Sequence, residues 1–583
     1  MSKKKASFFQ LRTEAGENLQ NIEKVWEKHP RPQFTRENWY SLNGTWELDG
    51  NPIRVPFVPE SQLSAYRGEV KSHMTYRKCF ATPGFHKQGR ILLHFQAVDQ
   101  IAEVYLNNVY LGRHEGGYAP FTFDITEVLT TEENCLTVNV VDELNYEYPY
   151  GKQRKKRGGM WYTSTSGIWQ SVWLEQVPEV YINSMKLTPD LQGLNVSLEF
   201  NQGREEITVF AEICLHTGEI YKCEWSSSDR YIDMSSIVLA DGERYTPQLW
   251  SPESPFLYQM TIRAGEDEVK TYFALRMVEI KKIEGVSRVC LNGKPIFMHG
   301  VLDQGYFCDG IVTPAEEEEY ERDILRMKEL GINTLRKHIK IEAEWFYYYC
   351  DKHGMLVMQD MVSSGKYSFI RDTALPTIGL QRRRDHGKRL SEKQKKFFEA
   401  HMLETLTLLY NHPCVVAYTI FNEGWGQFES DRLYALAKQT DQTRLYDSTS
   451  GWFAQKDNDF DSIHIYFGSR KPKIKERPVF LSEFGGYSYF SEHHVYSEKT
   501  YGYGTCKTSE ELMNRITKRY KELVFPYIKA GLCGSIYTQL SDVEDEINGL
   551  YTYDRKICKV NKAEMMSVAE RIRQEIEKSG IEE

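Results

Sequence analysis

The stretch VVAYTIFNEGWG, residues 415–426, decides the fold class of this chain. It begins as a continuous apolar run, rich in β-branched and aromatic residues, which predicts a β-strand. Glu423 then leaves that strand and enters a turn that contains two glycines. A strand that ends in such a polar turn is typical of α/β proteins, in which reactive groups follow the carboxyl ends of parallel strands.

Further strand-like runs lie on both sides of this stretch, and from about residue 290 they alternate with helical runs. The segment 316–330 shows a helical apolar spacing, starts after Thr313 and Pro314, and stops at Gly331, which predicts a helix. Eight strands are predicted: FMHGV (297–301), NTLRKH (333–338), LVMQD (356–360), VVAYTIF (415–421), RLYDST (444–449), SIHIY (462–466), PVFLSE (478–483) and GSIYTQL (534–540). This alternation favours a (β/α)₈ barrel, because no dinucleotide fingerprint or Walker loop supports an open nucleotide-binding sheet.

The first half of the chain has the pattern of β-sandwiches. Short alternating runs are broken by turns, and the pair Asn107–Asn108 between two such runs predicts a β-hairpin. We therefore predict three domains: a jelly-roll β-sandwich over 1–178, an immunoglobulin-like β-sandwich over 179–282, and the barrel over 283–583.

Composition excludes several classes of function. The 583 residues carry a net charge of −9, which gives no electrostatic footprint for nucleic acid or for an anionic membrane. No apolar run is long enough to span a bilayer, and the basic start lacks the apolar region of a signal peptide. The 11 cysteines follow no spacing pattern, so we expect reduced thiols and a cytoplasmic location without a disulfide framework.

Two glutamates occupy corresponding positions in the predicted barrel. Glu423 ends the fourth strand and Glu483 ends the seventh, each before a glycine-containing aromatic turn. These strands lie on roughly opposite sides of an eight-stranded ring, so the two carboxyl groups can face each other across its mouth. A single glutamate at a strand end is usually an ion-pair partner. Two at these positions indicate retaining glycoside hydrolysis, which needs carboxyl groups about 5–5.5 Å apart.

The chain resembles glycoside hydrolase family 2, the family of β-galactosidases, β-glucuronidases and β-mannosidases. The motifs FNEGWG (421–426), LSEFGG (481–486) and QLSDVEDEINGLYTYDRK (539–556) carry the resemblance in the barrel. LNGTWEL, VYLNNVYLG and SGIWQSVWLE resemble its jelly-roll domain, and NTLRKH resembles its arginine motif. The resemblance implies retaining hydrolysis of β-linked, non-reducing terminal sugars without a redox cofactor, and we predict no cofactor and assign no metal site.

The resemblance also implies roles for individual residues. Glu423 matches the general acid/base, which must be protonated when the glycosidic oxygen leaves, and Glu483 matches the nucleophile, which must be ionised. Arg336 would hold the nucleophile's charge, and Asn422 would bind the sugar's 2-hydroxyl. Tyr466 resembles the tyrosine that hydrogen-bonds the nucleophile.

Further candidates each have a structural alternative. His338 and His464 either line the pocket or are core histidines, Asp360 binds sugar hydroxyls or caps structure, and Trp425 and Trp452 stack on sugars or pack the rim. Where many relatives carry a His-Glu pair, this chain has Asp303 and Gln304, which we predict to bind hydroxyls.

The sugar itself is the least determined feature. β-Glucuronidases carry an Asn-x-Lys that pairs with the substrate carboxylate, whereas residues 548–550 read NGL, which argues for a neutral sugar. Lys340, Lys366 or the basic run 382–396 could still supply a positive charge, and Tyr537–Thr538–Gln539 stands where a stacking tryptophan is usual.

We therefore predict a β-galactosidase-like enzyme that acts on a small-molecule or oligosaccharide substrate. The alternatives are a β-glucuronidase or pentosidase of the same family, or, from another class, a non-catalytic carbohydrate-binding protein. The sandwiches brace the barrel, narrow its mouth or form the interface of a homo-oligomer.

Overall fold

The computed structural model describes residues 10–19, 23–85, 89–203, 207–377, 385, 390–468 and 471–578. The fold class is as predicted, with two β-sandwiches followed by a nearly closed parallel barrel. The divisions at residues 178 and 282 stay predictions. Within the described residues, no helix combines the length and apolar character needed to cross a membrane.

The first sandwich contains a four-stranded and a six-stranded sheet, and the strand pairings described within both sheets are antiparallel. The predicted hairpin is confirmed: Asn107 and Asn108 have φ of 51° and 65°, the left-handed values that a two-residue hairpin turn requires. The four-stranded sheet comprises Trp39–Ser41, Val172–Val177, Arg90–Phe95 and Phe121–Asp124, and the six-stranded sheet comprises Asn51–Val55, Gly44–Leu48, His73–Ala81, Glu133–Val141, Ile101–Leu106 and Val109–Glu115.

Short pairs of strands extend this domain toward the barrel. Gln153–Arg154 pairs with Tyr162–Thr163, and Gly167–Ile168 pairs with Val98–Asp99. An aromatic cluster that contains Tyr150, Trp161 and Trp425 joins this extension to the barrel. The first sandwich is therefore seated on the barrel.

One cysteine pair departs from the prediction of reduced thiols throughout. Cys79 and Cys135 face each other on adjacent antiparallel strands and form a disulfide, with 4.2 Å between their Cα atoms. The remaining nine cysteines are free. The two partners are 56 residues apart in sequence, so no local spacing could indicate a pairing that the strand register creates.

The second sandwich packs a three-stranded sheet against a four-stranded one around its own apolar core. The strands are Ile182–Pro189, Gly193–Phe200 and Asp229–Asp233, then Ile220–Trp225, Val209–Cys214, Tyr258–Ala264 and Asp267–Phe273, with a 3₁₀ turn at Met234–Ser236. A small sheet of Val278–Ile283, Val286–Leu291 and Lys294–Pro295 leads into the barrel.

All eight predicted barrel strands are present. They are β1 (Met298–Asp303), β2 (Thr334–Lys337), β3 (Leu356–Asp360), β4 (Val415–Asn422), β5 (Leu445–Ser450), β6 (Asp461–Ile465), β7 (Val479–Gly485) and β8 (Leu532–Thr538). Backbone pairing runs in parallel from β5 through β1 and β8 to β6. Between β5 and β6 the ring is joined by side chains, because Ser450 Oγ lies 3.1 Å from His464 Nε2.

Helices cover the outside of the ring, and their apolar faces form one large core with the strands. The helices are Glu318–Glu329, Glu344–His353, Glu392–Leu408, Ser430–Thr440, Ser509–Leu523, Phe525–Ile528 and Lys562–Glu577. Three short helices lie at Glu14–Asn18, Ile370–Ala374 and Leu375–Thr377. Ser488–Tyr489 and Thr505–Cys506 form a further pair of short strands.

The helix predicted to start after Pro314 starts later, at Glu318. The Thr313 hydroxyl donates instead to the carbonyl of Trp169, 2.6 Å away, and the carbonyl of Pro314 accepts from the Trp26 indole at 3.0 Å. This segment is therefore held by residues from earlier in the chain, which delays the first helical turn.

Candidate active site

Glu483 is the most strongly held of the predicted catalytic groups. It is buried near the end of β7, where its Oε1 accepts a hydrogen bond from Arg336 Nη1 at 3.1 Å and its Oε2 accepts one from the Tyr466 hydroxyl. Burial alone would raise its pKa, but the charges of His464 and Arg336 outweigh burial and lower the pKa of Glu483. The carboxylate is therefore ionised, as a nucleophile must be.

Arg336 organises this side of the site from β2. Its guanidinium is fully buried and also donates to Asp360 Oδ1 at 3.0 Å and to Asn422 Oδ1 at 2.9 Å. Asp360 in turn lies 2.6 Å from His338 Nδ1. Burial disfavours the charge on Asp360, yet Arg336 and His338 lower its pKa. Six residues that the sequence singled out thus form one connected network: Arg336, Asn422, Glu483, Tyr466, Asp360 and His338.

Glu423 differs from Glu483 in its backbone and its exposure. It follows β4 with a φ of +54°, in the left-handed region that costs a non-glycine residue free energy, and its side chain is 14% exposed against 5% for Glu483. Its amide donates to the carbonyl of Ser450 at 3.0 Å, and Trp452 Nε1 donates to its carbonyl at 3.1 Å. The turn is therefore held from β5 and from the segment that follows β5.

The two glutamates face each other. A carboxylate oxygen of Glu423, a carboxylate oxygen of Glu483 and a ring nitrogen of His464 all lie within 4.8 Å of one another. This spacing agrees with the roughly 5–5.5 Å between carboxyl groups in retaining glycosidases and is shorter than the ~6.5–9.5 Å of inverting ones.

His464 sits between the two acids. Its Nδ1 lies 2.9 Å from Glu423 Oε1, and its Nε2 lies 3.7 Å from Glu483 Oε1. The edge of its ring meets Trp452 with 5.4 Å between ring centroids. His464 can therefore exchange hydrogen bonds with the more exposed acid while adding positive character beside the buried one.

The same three side chains could ligate a metal ion, but their surroundings fit acid–base chemistry better. Glu483 Oε1 already accepts a hydrogen bond from the Arg336 guanidinium. This positive charge would repel a metal cation at the same position. His464 Nδ1 already lies against Glu423 at 2.9 Å, so a metal would have to displace this contact.

Four predicted residues contact other parts of the barrel mouth. Trp425 is buried among Tyr150 and Trp161, and its Nε1 donates to the carbonyl of Gly365 at 2.8 Å, which favours the packing alternative. Asp303 accepts from Lys337 Nζ at 2.6 Å. Gln304 is buried, and its Oε1 has no hydrogen-bond partner among the described residues. Trp452 holds the Glu423 backbone, as described above.

The predicted sources of positive charge are not brought to the two glutamates. Lys340 Nζ donates to the carbonyl of Gly305 at 2.5 Å and to both Glu342 oxygens at 2.9 Å. Lys366 is exposed beyond β3. Residues 382–384 and 386–389 of the basic run 382–396 lie outside the described residues.

Sequence reasoning missed several groups around this site. Tyr503 stacks on Tyr466 with 4.0 Å between centroids, and Tyr162 donates to both the Glu546 carboxylate and the Lys152 carbonyl. Glu546 could have been found, because it lies in the segment after β8 and strand ends carry site residues. Lys152 comes from the first sandwich, and no pattern along the barrel points to it.

The comparisons with known proteins agree with this architecture. Three family models match: "Glycosyl hydrolase 2 galactose-binding domain-like" over residues 49–167, "Glycosyl hydrolases family 2" over 180–276, and "Glycosyl hydrolases family 2, TIM barrel domain" over 278–501. Together they cover most of the chain.

Curated relatives carry two activities in their names. A β-galactosidase of Priestia megaterium is 24% identical over 74% of this chain and 42% of its own length. A β-glucuronidase of Bacteroides fragilis is 24% identical over 85% of this chain and 69% of its own. The chain spans less than half the length of the first curated relatives that it matches.

Solved structures share the fold. A β-glucuronidase from an uncultured Clostridium superposes with a TM-score of 0.70 at 20% identity, over 93% of this chain and 99% of that one. A β-D-glucuronidase of Dictyoglomus thermophilum gives a TM-score of 0.72 at 18% identity, over 94% and 98%. With two sandwiches, a parallel barrel and the matched models in this order, the chain belongs to glycosyl hydrolase family 2.

Proposed function

We propose that this protein is a retaining exo-β-glycosidase that hydrolyses terminal, non-reducing β-linked sugars, with β-galactosides as its preferred substrates. The observation that carries the proposal is the pair of carboxylates within 4.8 Å, of which one is buried against a guanidinium and the other is more exposed. A non-catalytic carbohydrate-binding protein would have no need for this asymmetric pair.

The proposed reaction has two steps. Ionised Glu483 attacks the anomeric carbon while protonated Glu423 gives its proton to the departing glycosidic oxygen, which leaves a sugar ester on Glu483. Glu423, now ionised, then takes a proton from water, the oxygen of this water attacks the anomeric carbon, and the ester bond to Glu483 breaks. Two inversions restore the starting configuration.

Neighbouring groups support these steps. Arg336 and Tyr466 hold Glu483 by one oxygen each, which orients the carboxylate for attack and stabilises it when the ester breaks. Asn422 accepts from Arg336 through Oδ1, so its amide N–H group is the one to bind the 2-hydroxyl in the transition state.

A β-glucuronidase is the second candidate, because Lys152 brings a cation to the barrel mouth from the first sandwich. Pentosidase activity belongs with the first candidate, since arabinopyranose lacks only the exocyclic carbon of galactose. The cytoplasmic location and the homo-oligomer stay predictions.

The proposal is tested with 4-nitrophenyl glycosides of β-galactose, α-arabinopyranose, β-glucuronic acid and α-galactose, followed by proton NMR of the first sugar released. We expect the highest kcat/KM on the β-galactoside and a β-configured first product. Cleavage of the α-galactoside alone, or an α-configured first product from a β-substrate, would contradict it.

A further inference from the structure

The segment around Lys152 belongs to the first sandwich but is fastened to the barrel. The amides of Tyr150 and Gly151 both donate to the carbonyl of Ser363, beyond β3, at 3.0 and 3.3 Å. Gly151 has a φ of +70°, and a Cβ there would lie 3.2 Å from the carbonyl oxygen of Ile339. This close approach carries the next residue, Lys152, over the ends of β2 and β3.

Glu546 lies in the segment after β8, and only 2% of it is exposed. Its Oε2 accepts from the Tyr162 hydroxyl at 2.6 Å, and its Oε1 accepts from Asn548 at 3.0 Å. Tyr162 also donates its amide to the carbonyl of Lys152 at 3.0 Å. One tyrosine therefore ties the lysine backbone and the glutamate side chain together.

A second connection leads from Glu546 to the nucleophile. Asn548 accepts from Gln539 at 2.8 Å, and the preceding residue, Thr538, lies 3.3 Å from the Tyr466 hydroxyl that bonds Glu483. The Oε1 of Gln539 is buried and has no hydrogen-bond partner within the described part of the chain. An unpartnered acceptor in this chain of contacts is a group that a bound hydroxyl can satisfy.

Electrostatics agree with this arrangement. Burial raises the pKa of Glu546, while the Lys152 ammonium opposes that rise. The pKa of His338 falls to about 4, mainly through burial and then through Lys152. The ammonium therefore acts on a histidine after β2 and on a glutamate after β8. Across the described ranges, it has no hydrogen bond or ion pair to a protein group, and it is partly exposed.

We propose that the Lys152 ammonium and the Glu546 carboxylate, linked through Tyr162, act together to bind hydroxyl groups of the sugar remote from its anomeric carbon and to exclude uronic acids. This inference rests on the proposed function. A buried carboxylate on the sugar would need a cation of its own, whereas the charge of Lys152 is matched by Glu546. Hydroxyl groups, which both donate and accept, satisfy an ammonium and a carboxylate at once.

The test uses the full chain with Lys152→Met and Glu546→Gln, and Lys155→Met as the control, because Lys155 is an exposed lysine of the same segment. Loss of one hydrogen bond to a charged group corresponds to about a 10- to 100-fold loss of binding affinity. We expect Lys152→Met to lower kcat/KM for 4-nitrophenyl β-galactoside by at least ~10-fold, mainly through KM. Glu546→Gln should shift the galactoside-to-glucuronide ratio of kcat/KM by at least ~10-fold toward the glucuronide.

Several outcomes would overturn the pair. The proposal would be overturned if both variants kept kcat/KM within twofold of wild type on all substrates. It would also be overturned if Lys155→Met lost as much kcat/KM as Lys152→Met. A wild type that prefers the glucuronide and loses only that activity in Lys152→Met would make Lys152 a carboxylate binder. Lys152 is partly exposed, so its variant remains a test if Glu546→Gln fails to fold.

Failure of the proposed function is distinguishable. If wild type cleaves no glycoside, calorimetric titration with free galactose and with free glucuronate replaces kinetics. Galactose binding that weakens at least ~10-fold in Lys152→Met would support the pair, and equal affinities for galactose in wild type and variant would overturn it.

Discussion

Two buried clusters of arginines and carboxylates in this molecule contain similar residues but distribute their charges differently. One joins the two sandwiches: Arg36 donates to both oxygens of Asp267 at 2.8 and 2.9 Å and to Glu175 at 3.1 Å, and Arg31 adds a bond to Glu175 at 2.8 Å. The other is the candidate catalytic cluster around Arg336 in the barrel. Each places a guanidinium against two carboxylates in a buried site.

The clusters differ in how the charges are shared. In the sandwich cluster, two arginines face two carboxylates, and Arg36 meets Asp267 as a bidentate pair. In the barrel, Arg336 divides its donors among Asp360, Glu483, Asn422 and a backbone carbonyl, while nearby Glu423 contacts only a histidine among the described ion pairs. The first arrangement neutralises charge, whereas the second keeps two adjacent acids unequal, which a two-carboxylate mechanism requires.

The largest effect should come from removing Glu483, the proposed nucleophile. We expect Glu483→Gln to lower kcat on the 4-nitrophenyl β-galactoside by about 10⁴-fold or more, because no other group can form the ester. Glu492→Gln, at an exposed acid beyond β7, is the matched control. Circular dichroism should show a folded protein in both, and near-normal kcat in folded Glu483→Gln would refute the assignment.

The next effect sharpens the contrast between the two acids. Glu423→Ala removes the proposed proton donor, so the loss of kcat/KM should depend on the leaving group. A methyl β-galactoside, which needs protonation, should lose about 10²–10⁴-fold, whereas a 2,4-dinitrophenyl galactoside should lose much less in its first step. Pre-steady-state release of dinitrophenol measures that step. Equal losses for both substrates would contradict the acid role.

Breaking the sandwich cluster should change stability and leave chemistry alone. Arg36→Met leaves Asp267 and Glu175 buried with fewer partners, and removal of one member of a buried ion pair costs about 3–5 kcal/mol. We expect a lower denaturation midpoint with kcat within twofold for the folded protein. Arg336→Met should instead lower kcat strongly. If Arg36→Met also abolished kcat in folded protein, the distinction between the clusters would be lost.

The smallest effect concerns pH. His94, beside Glu175, is buried, and burial together with Arg31 lowers its pKa to about 4 from 6.5. A folded-state pKa below the unfolded value means that stability is present above pH ~6.5 and is lost as pH falls toward 4. Between pH 7 and 5 this group should cost about 2 kcal/mol. Urea unfolding should show a smaller pH dependence in His94→Gln, and an unchanged dependence would contradict it.

Local patterns predicted much of the barrel and part of the site. Each barrel strand was found because apolar runs and the turns that end them are contiguous in sequence. Glu423 and Glu483 were found for the same reason. The disulfide between Cys79 and Cys135 was not, because it depends on strand register. The prediction that Asp303 binds sugar hydroxyls stays a prediction, and the structure adds that β1 and β2 pair so that Asp303 lies opposite Lys337.

By itself, the sequence determined the strands, the order of the sandwiches and barrel, and which acids end which strands. These properties depend on the periodicity of neighbouring residues. Only the tertiary structure decided that the two carboxylates lie within 4.8 Å, that Arg336 serves one of them alone, and that Lys152 reaches the mouth from another domain. Ring closure and domain packing bring together residues hundreds of positions apart, and no local pattern encodes such distances.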